Sequence, residues 1–184
     1  MSERAPEIHV ERLDAAAFSP FGDVLEARGE PSAWINRGRC GRHHDLAALD
    51  FAEGGVAGIS VFDGTPYAMP HRLDLLERHP LGSQAFLPLS SEPFLVIVAE
   101  DEAGVPTRPR AFVTDGAQGV NYHRGTWHGV LTPLARSALF AVVDRIGEGV
   151  NLEEHILDPP LSVVDPESLI ERARATATPP AGAR

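Results

Sequence analysis

Apolar and polar positions alternate most clearly between Arg72 and Leu89. The pattern predicts two short strands joined by a tight Pro80-Leu81-Gly82 turn. On the first strand Leu73, Leu75, Glu77 and His79 have the same parity and share a face; on the second, Gln84 and Phe86 do. The leucines and the phenylalanine mark that face as buried. Glu77, His79 and Gln84 then point into an interior, where polar groups are costly unless they find partners or a ligand.

The rest of the chain has the same short-strand character. Ile8 and Val10 begin a first strand, and Asp14 caps one helical turn that ends at Ser19-Pro20. Residues 21–26, 33–36 and 55–62 predict further strands, the last followed by the turn Asp63-Gly64-Thr65-Pro66. Residues 93–99 are an unbroken apolar run, predicting a strand buried on both faces. Residues 110–114 predict another strand, and residues 139–144 one that closes a barrel. Residues 145–158 are polar and Gly-rich and read as a solvated loop able to close over a pocket mouth. Asp165 and Pro166 suit the N-cap and first position of a helix running to about residue 174. His71 reads as a surface imidazole. The expectation is a single domain over residues 1–175 with a disordered tail over 176–184.

Composition narrows the function classes. A chain of 184 residues can bury a sizeable core as one domain. The net charge of -10 argues against a nucleic-acid partner and against an anionic membrane surface. All 16 basic residues are arginine, which removes any lysine Schiff base and leaves forks suited to carboxylates. The lone Cys40 forms no intrachain disulfide and no cysteine metal clip. The first residues are polar and charged, unlike a signal peptide, and no apolar run approaches the ~20 residues that span a bilayer. A cytoplasmic protein is expected. Arg37, Arg42 and His44 lie in a cation-rich loop that offers candidates to face a site.

The spacing of the inward polar residues carries chemistry. Glu77-x-His79, then four residues, then Gln84 has the layout of the first metal-binding motif of cupins, with Glu in place of the first His and Gln in place of the Glu. A second stretch, His123-Arg124-Gly125-Thr126-Trp127-His128, has that superfamily's Gly-x-x-His spacing, with His123 in the usual proline position. His128 then completes a cluster with Glu77, His79 and Gln84. The predicted fold is an all-β, jelly-roll-like cupin barrel with small peripheral helices.

Taken together, the stretches from Leu76 to Pro88 and from Gly119 to His128 resemble the ureidoglycolate lyases of the cupin superfamily. Supporting matches are Phe21-Gly22-Asp23-Val24, His44-Asp45-Leu46-Ala47, Val143-Asp144-Arg145 and Asn151-Leu152-Glu153-Glu154. His71 stands where the family usually has leucine, and Gly129 where several members have a second histidine. The resemblance implies a homodimer that splits ureidoglycolate into glyoxylate and urea during allantoin and purine breakdown. That chemistry needs an anchor for a small-molecule carboxylate, a base for a hydroxyl proton and help for departing urea. His79 and His128 suit proton transfer near neutral pH, and Glu77 serves as base or as ligand. Arg124 or Arg42 could hold the carboxylate, while Arg78 has the wrong parity; Asn121, Tyr122 and His44 could meet the remaining polar groups. Glu77, His79, Gln84 and His128 could hold nickel, manganese, iron or zinc, or act with no metal as an acid–base pocket. The alternatives are another metal-dependent cupin enzyme, or a non-catalytic cupin that binds a small carboxylic acid.

Overall fold

The computed structural model describes residues 5–134, 139–165 and 167–176. Along these residues run β1 (Glu7–Arg12), α1 (Ala15–Phe18), β2 (Gly22–Leu25), β3 (Ala33–Ile35), β4 (Cys40–Arg42), β5 (Val56–Asp63), β6 (His71–Arg78), β7 (Gln84–Pro88) and β8 (Phe94–Glu102). They continue with β9 (Val105–Val113), β10 (Gly119–Tyr122), β11 (Trp127–His128), β12 (Thr132–Pro133), β13 (Leu139–Ile146), β14 (Glu153–Val164) and α2 (Leu169–Thr176). The expectation of an all-β cupin-type barrel with small helices holds.

The strands form two layers. One sheet has the order β11-β6-β14-β1-β9-β8-β12, and β11 also pairs with β8. The double pairing of β11 closes six strands into a ring. The second sheet has the order β2-β10-β7-β13-β5, and β3 and β4 form a separate hairpin.

The apolar run of β8 shows how the layers are joined. Leu95, Ile97 and Ala99 enter a cluster with Val10, Leu73, Leu76, Ala111, Val113, Trp127 and Val163, to which all six ring strands contribute and α2 adds Leu169, Ile170 and Ala173. The alternate residues Phe94, Val96 and Val98 join Phe112 in a second cluster with Phe86, Val120, Tyr122, Phe140 and Val142 of the five-stranded sheet. One strand thus supplies the ring interior with one face and the interlayer core with the other, as its unbroken hydrophobicity predicted. Burying a residue of this size contributes about 1.5–3 kcal/mol.

Several expectations are corrected. The central stretch is not a hairpin: β6 and β7 lie in different sheets. Both edges of β6 are already taken, by β14 and by β11, so β7 has no edge to pair with. Residues 79–83 instead carry the chain from one layer to the other. Likewise β13 does not close the ring, because it sits between β7 and β5 in the second sheet.

Leu73 does not share a face with Glu77. It enters the same cluster as Leu76, three positions on, and the β6–β14 register shifts in this region. Residues 145–158 are not wholly a loop, since β14 begins at Glu153 and pairs with both β6 and β1. Only Val163 of its residues is buried, so its polar composition concealed a strand. The second helix begins at Leu169, where Asp165 accepts the N–H groups of Leu169 (2.7 Å) and Ile170 (2.9 Å). Pro166 and residues 177–184 lie outside the described residues.

His71 is buried rather than superficial, as its parity with Leu73 requires, and its ring meets Tyr67 edge-on at 5.0 Å. Burial lowers its pKa below the ordinary 6.5, with Asp74 opposing. Below that value the unfolded chain takes up a proton that the folded one resists. The stability tied to this group is therefore complete above pH 6.5 and is lost as pH falls toward the lowered folded value. Urea unfolding followed from about pH 7 to about pH 5 should show a steeper loss in the wild type than in His71→Leu. Equal slopes would contradict this account.

Candidate active site

The candidate site lies where the ring wall faces the five-stranded sheet. Glu77 on β6 is directly opposite His128 on β11, and His128 is opposite Val98 on β8. Residues paired in this way point to the same side of a sheet. Because Val98 belongs to the interlayer cluster, Glu77 and His128 face that gap, outside the ring interior. His79 follows one residue after β6, and its ring centroid is 5.2 Å from that of His128. From the facing sheet, Tyr122 stacks on His128 with centroids 4.3 Å apart and planes 3° from parallel. Gln84 pairs with Tyr122 across β7 and β10, and so points into the same gap. The inward placement of Glu77, His79, Gln84 and His128 thus comes from two layers facing each other.

The backbone sets the imidazole tautomers. His79 Nδ1 is 2.6 Å from the Asn151 carbonyl oxygen, and His128 Nδ1 is 2.9 Å from the Gly129 carbonyl oxygen. A carbonyl only accepts, so both Nδ1 atoms carry the proton and donate it. Both Nε2 atoms are buried and without a hydrogen bond. Gln84 behaves similarly: its Nε2 leans toward Asp144 Oδ2 at 3.4 Å, while its Oε1 is buried and unpaired.

Burial then tunes the charges. It pushes the His128 imidazole down to about 3, against the support of the Gly129 carbonyl. His128 is therefore neutral at pH 7 and, contrary to expectation, does not titrate near neutrality. Burial raises the Glu77 carboxyl, with His79 pulling it back and Glu154 adding to the rise. Tyr122 is pushed well above its ordinary value by burial and by Glu77, so its phenol stays protonated.

These donors fit a divalent cation. One ligand atom from each of Glu77, His79 and His128 lies within 4.8 Å of the others, and theirs is the one such group among the described residues. Imidazoles presenting unpaired Nε2 atoms, with Nδ1–H held by carbonyls, are the arrangement metal sites use to fix ligand orientation. Glu77, His79 and His128 form a possible metal site, and Gln84 faces the same gap from the other sheet.

The other predicted residues are placed differently. Asn121 has the opposite parity from Tyr122 and donates to Asp23 Oδ2 at 3.0 Å on the far side of its sheet. Arg124 is exposed, 3.7 Å from Asp50, in the turn whose Gly125 N–H donates to the His79 carbonyl at 3.0 Å. Arg42 and His44 bond to each other at 2.9 Å beside the β3–β4 hairpin. Arg78 lies over Trp127, 4.5 Å from its ring centre, and pairs with Asp101 and Glu153. Sequence reasoning missed Asp144 and Asn151. Asp144 had a signal, its parity with buried Phe140 and Val142 on β13. Asn151 stood only within the family match Asn151-Leu152-Glu153-Glu154, which does not reveal that its backbone carbonyl meets His79.

A two-layer β-barrel with a carboxylate and two imidazoles between its layers defines an enzyme-type cupin. Comparison with known proteins narrows this. The model of the ureidoglycolate lyase family matches residues 5–164. A ureidoglycolate lyase of Rhodobacter capsulatus is 60% identical over 154 residues, covering 84% of this chain and 96% of the relative. One from a Chelativorans species is 52% identical over 162 residues (88% and 98%), and one from Agrobacterium fabrum 47% over 160 residues (86% and 96%). The chain belongs to the ureidoglycolate lyase family.

The donor set predicts a thermal response. Chelator-treated protein should gain stability when nickel, manganese, iron or zinc is added, by about 2.7 kcal/mol at a hundredfold excess over Kd. His79→Ala and His128→Ala should each abolish most of the gain in a thermal-shift assay. A midpoint unmoved by all four ions would reject the metal site.

Proposed function

We infer that this protein is a ureidoglycolate lyase, a carbon–nitrogen lyase that divides ureidoglycolate into glyoxylate and urea in allantoin and purine catabolism. The observation that carries this reading is near-full-length kinship with proteins of that name, 60% identical in one case. The pocket chemistry is compatible with it. Ureidoglycolate is a carboxylate-bearing hemiaminal. Its hydroxyl proton must leave as the carbonyl forms, the C–N bond must break, and the departing urea nitrogen must gain a proton.

The pocket offers one group for both proton movements. Half-buried Glu77 holds a proton more readily than an exposed carboxylate. It can take the hydroxyl proton and return it to the urea nitrogen, which balances the reaction without an outside acid. His79 and His128 present acceptor atoms, and Tyr122 covers one face of His128 as a protonated phenol. Arg124 is our choice of carboxylate anchor, because its turn is tied to the His79 backbone and an Arg fork matches a carboxylate. Should a divalent ion be needed, Glu77, His79, Gln84 and His128 would hold it, and it would supply Lewis-acid polarisation of substrate oxygen and lower the proton affinity of Glu77.

The substrate is a small carboxylic acid, and the partner is a second copy of the chain. Supporting the homodimer is the outer face of the five-stranded sheet, where Ile59 is 80% and Val61 65% exposed beside Leu87 and Leu139. Among the described residues no helix is long and apolar enough to cross a membrane. An exposed free Cys40 suits the cytoplasm.

Purified protein given ureidoglycolate should release glyoxylate and urea in equal amounts. Glu77→Gln should lower kcat by about a hundredfold or more, the contribution of a positioned proton-transfer group. Ammonia and carbon dioxide in place of urea would assign a hydrolase instead, and binding of glyoxylate without turnover a sensor. Activity lost on chelation and restored by one ion would make the metal essential. For the assembly, Ile59→Glu should convert a dimer to a monomer in sedimentation; a wild-type monomer would refute the pairing.

A further inference from the structure

Of the two imidazoles, His128 is held locally. Its Nδ1 donates to the carbonyl of the next residue, Gly129, within a segment clamped between β6 and β8. His79 is held from far away, by the Asn151 carbonyl 72 positions along the chain. Asn151 lies in the connection between β13 and β14, where Val150 is 79% exposed and Leu152 46% exposed.

That connection is tied down beside His79. The Asn151 side-chain oxygen Oδ1 accepts the Leu81 N–H at 2.8 Å, two residues beyond His79. The loop also rests closely on Leu81, since a Cβ at Gly149 would meet Leu81 Cδ1 at 2.9 Å. One residue therefore makes two bonds to one short turn, through its carbonyl to the His79 ring and through its amide oxygen to the Leu81 backbone.

We propose that Asn151 is a positioning residue: its side-chain bond to Leu81 N–H holds its own carbonyl against His79 Nδ1, fixing the tautomer that aims Nε2 into the pocket. The proposal rests on the pocket described above as the working site. With the side chain removed, the exposed loop loses its anchor and the His79 proton is free to move to Nε2. A protonated Nε2 neither accepts a hydrogen bond nor binds a cation.

The test reads the ring proton directly. Metal-free protein labelled with nitrogen-15 at histidine gives long-range proton–nitrogen NMR correlations that report which ring nitrogen is protonated, with His79 assigned from His79→Gln. Wild type should show His79 protonated at Nδ1. Asn151→Ala should show a tautomer mixture, and Asn151→Asp, which keeps an acceptor for Leu81 N–H, should restore the wild-type pattern. Val150→Ala, an exposed neighbour, should change nothing. Asn151→Ser, whose hydroxyl is one bond shorter than the amide oxygen, serves where Asn151→Ala fails to fold. Nickel titration should show about 10–100-fold weaker binding in Asn151→Ala, the range for losing such support. The tautomer result stands even if no metal binds to the wild type, so failure of the metal reading is separable. A folded Asn151→Ala with the wild-type tautomer, or a folded Asn151→Asp as disordered at His79 as the alanine variant, would overturn the proposal.

Discussion

The two residues of β11 determine the site. Trp127 and His128 pair with β8 on one side, and His128 pairs with Glu77 of β6 on the other. Without this bridge the sheet would stay open between β6 and β8, and Glu77 would have no imidazole beside it. Alternation then divides the two residues between the layers. Trp127 goes to the ring interior, under the Arg78 guanidinium and bonded to Asp101 at 2.9 Å, and His128 goes to the gap. One short strand thus closes the ring and places a ligand-type histidine.

Desolvation does the remaining chemical work. Neutral imidazole is the form that burial favours, and His128 is only 1% exposed. The backbone carbonyls of Gly129 and Asn151 then decide which nitrogen keeps the proton. The same burial leaves Glu77 with a raised proton affinity and keeps Tyr122 a phenol. Each shift would be small in water. Together they leave a cluster of acceptor atoms around a carboxylate of raised proton affinity.

Much of this was legible in one dimension. Glu77, His79, Gln84 and His128 stood out because polar residues at inward parity require a reason. Spacing alone left their partners open, and the family resemblance supplied a reaction that their chemistry allows. Asn121 shows the limit of such reading. It is adjacent to Tyr122 and fully buried, yet it faces Asp23 on the other side of the sheet, because neighbouring residues on a strand point apart. Asp144 was within reach of the same parity argument, while the contact of the Asn151 carbonyl with His79 lay beyond it.

The sequence by itself determined the β class, the double burial of β8, the Asp14 cap with its bonds to Ala16 (3.0 Å) and Ala17 (3.1 Å), and the inward polar residues. These follow from local geometry and period, which a short window of chain carries. Only the tertiary structure decided that β6 and β7 belong to different sheets, that β11 rather than β13 closes the ring, and that the residues after 152 form a strand. Those outcomes depend on which strand edges are already occupied, a competition among segments far apart in the chain. The same holds for the His79 tautomer, set by a carbonyl 72 positions away. Hydrogen bonds to a distant backbone carbonyl leave no trace in composition or alternation, because every residue type offers the same carbonyl.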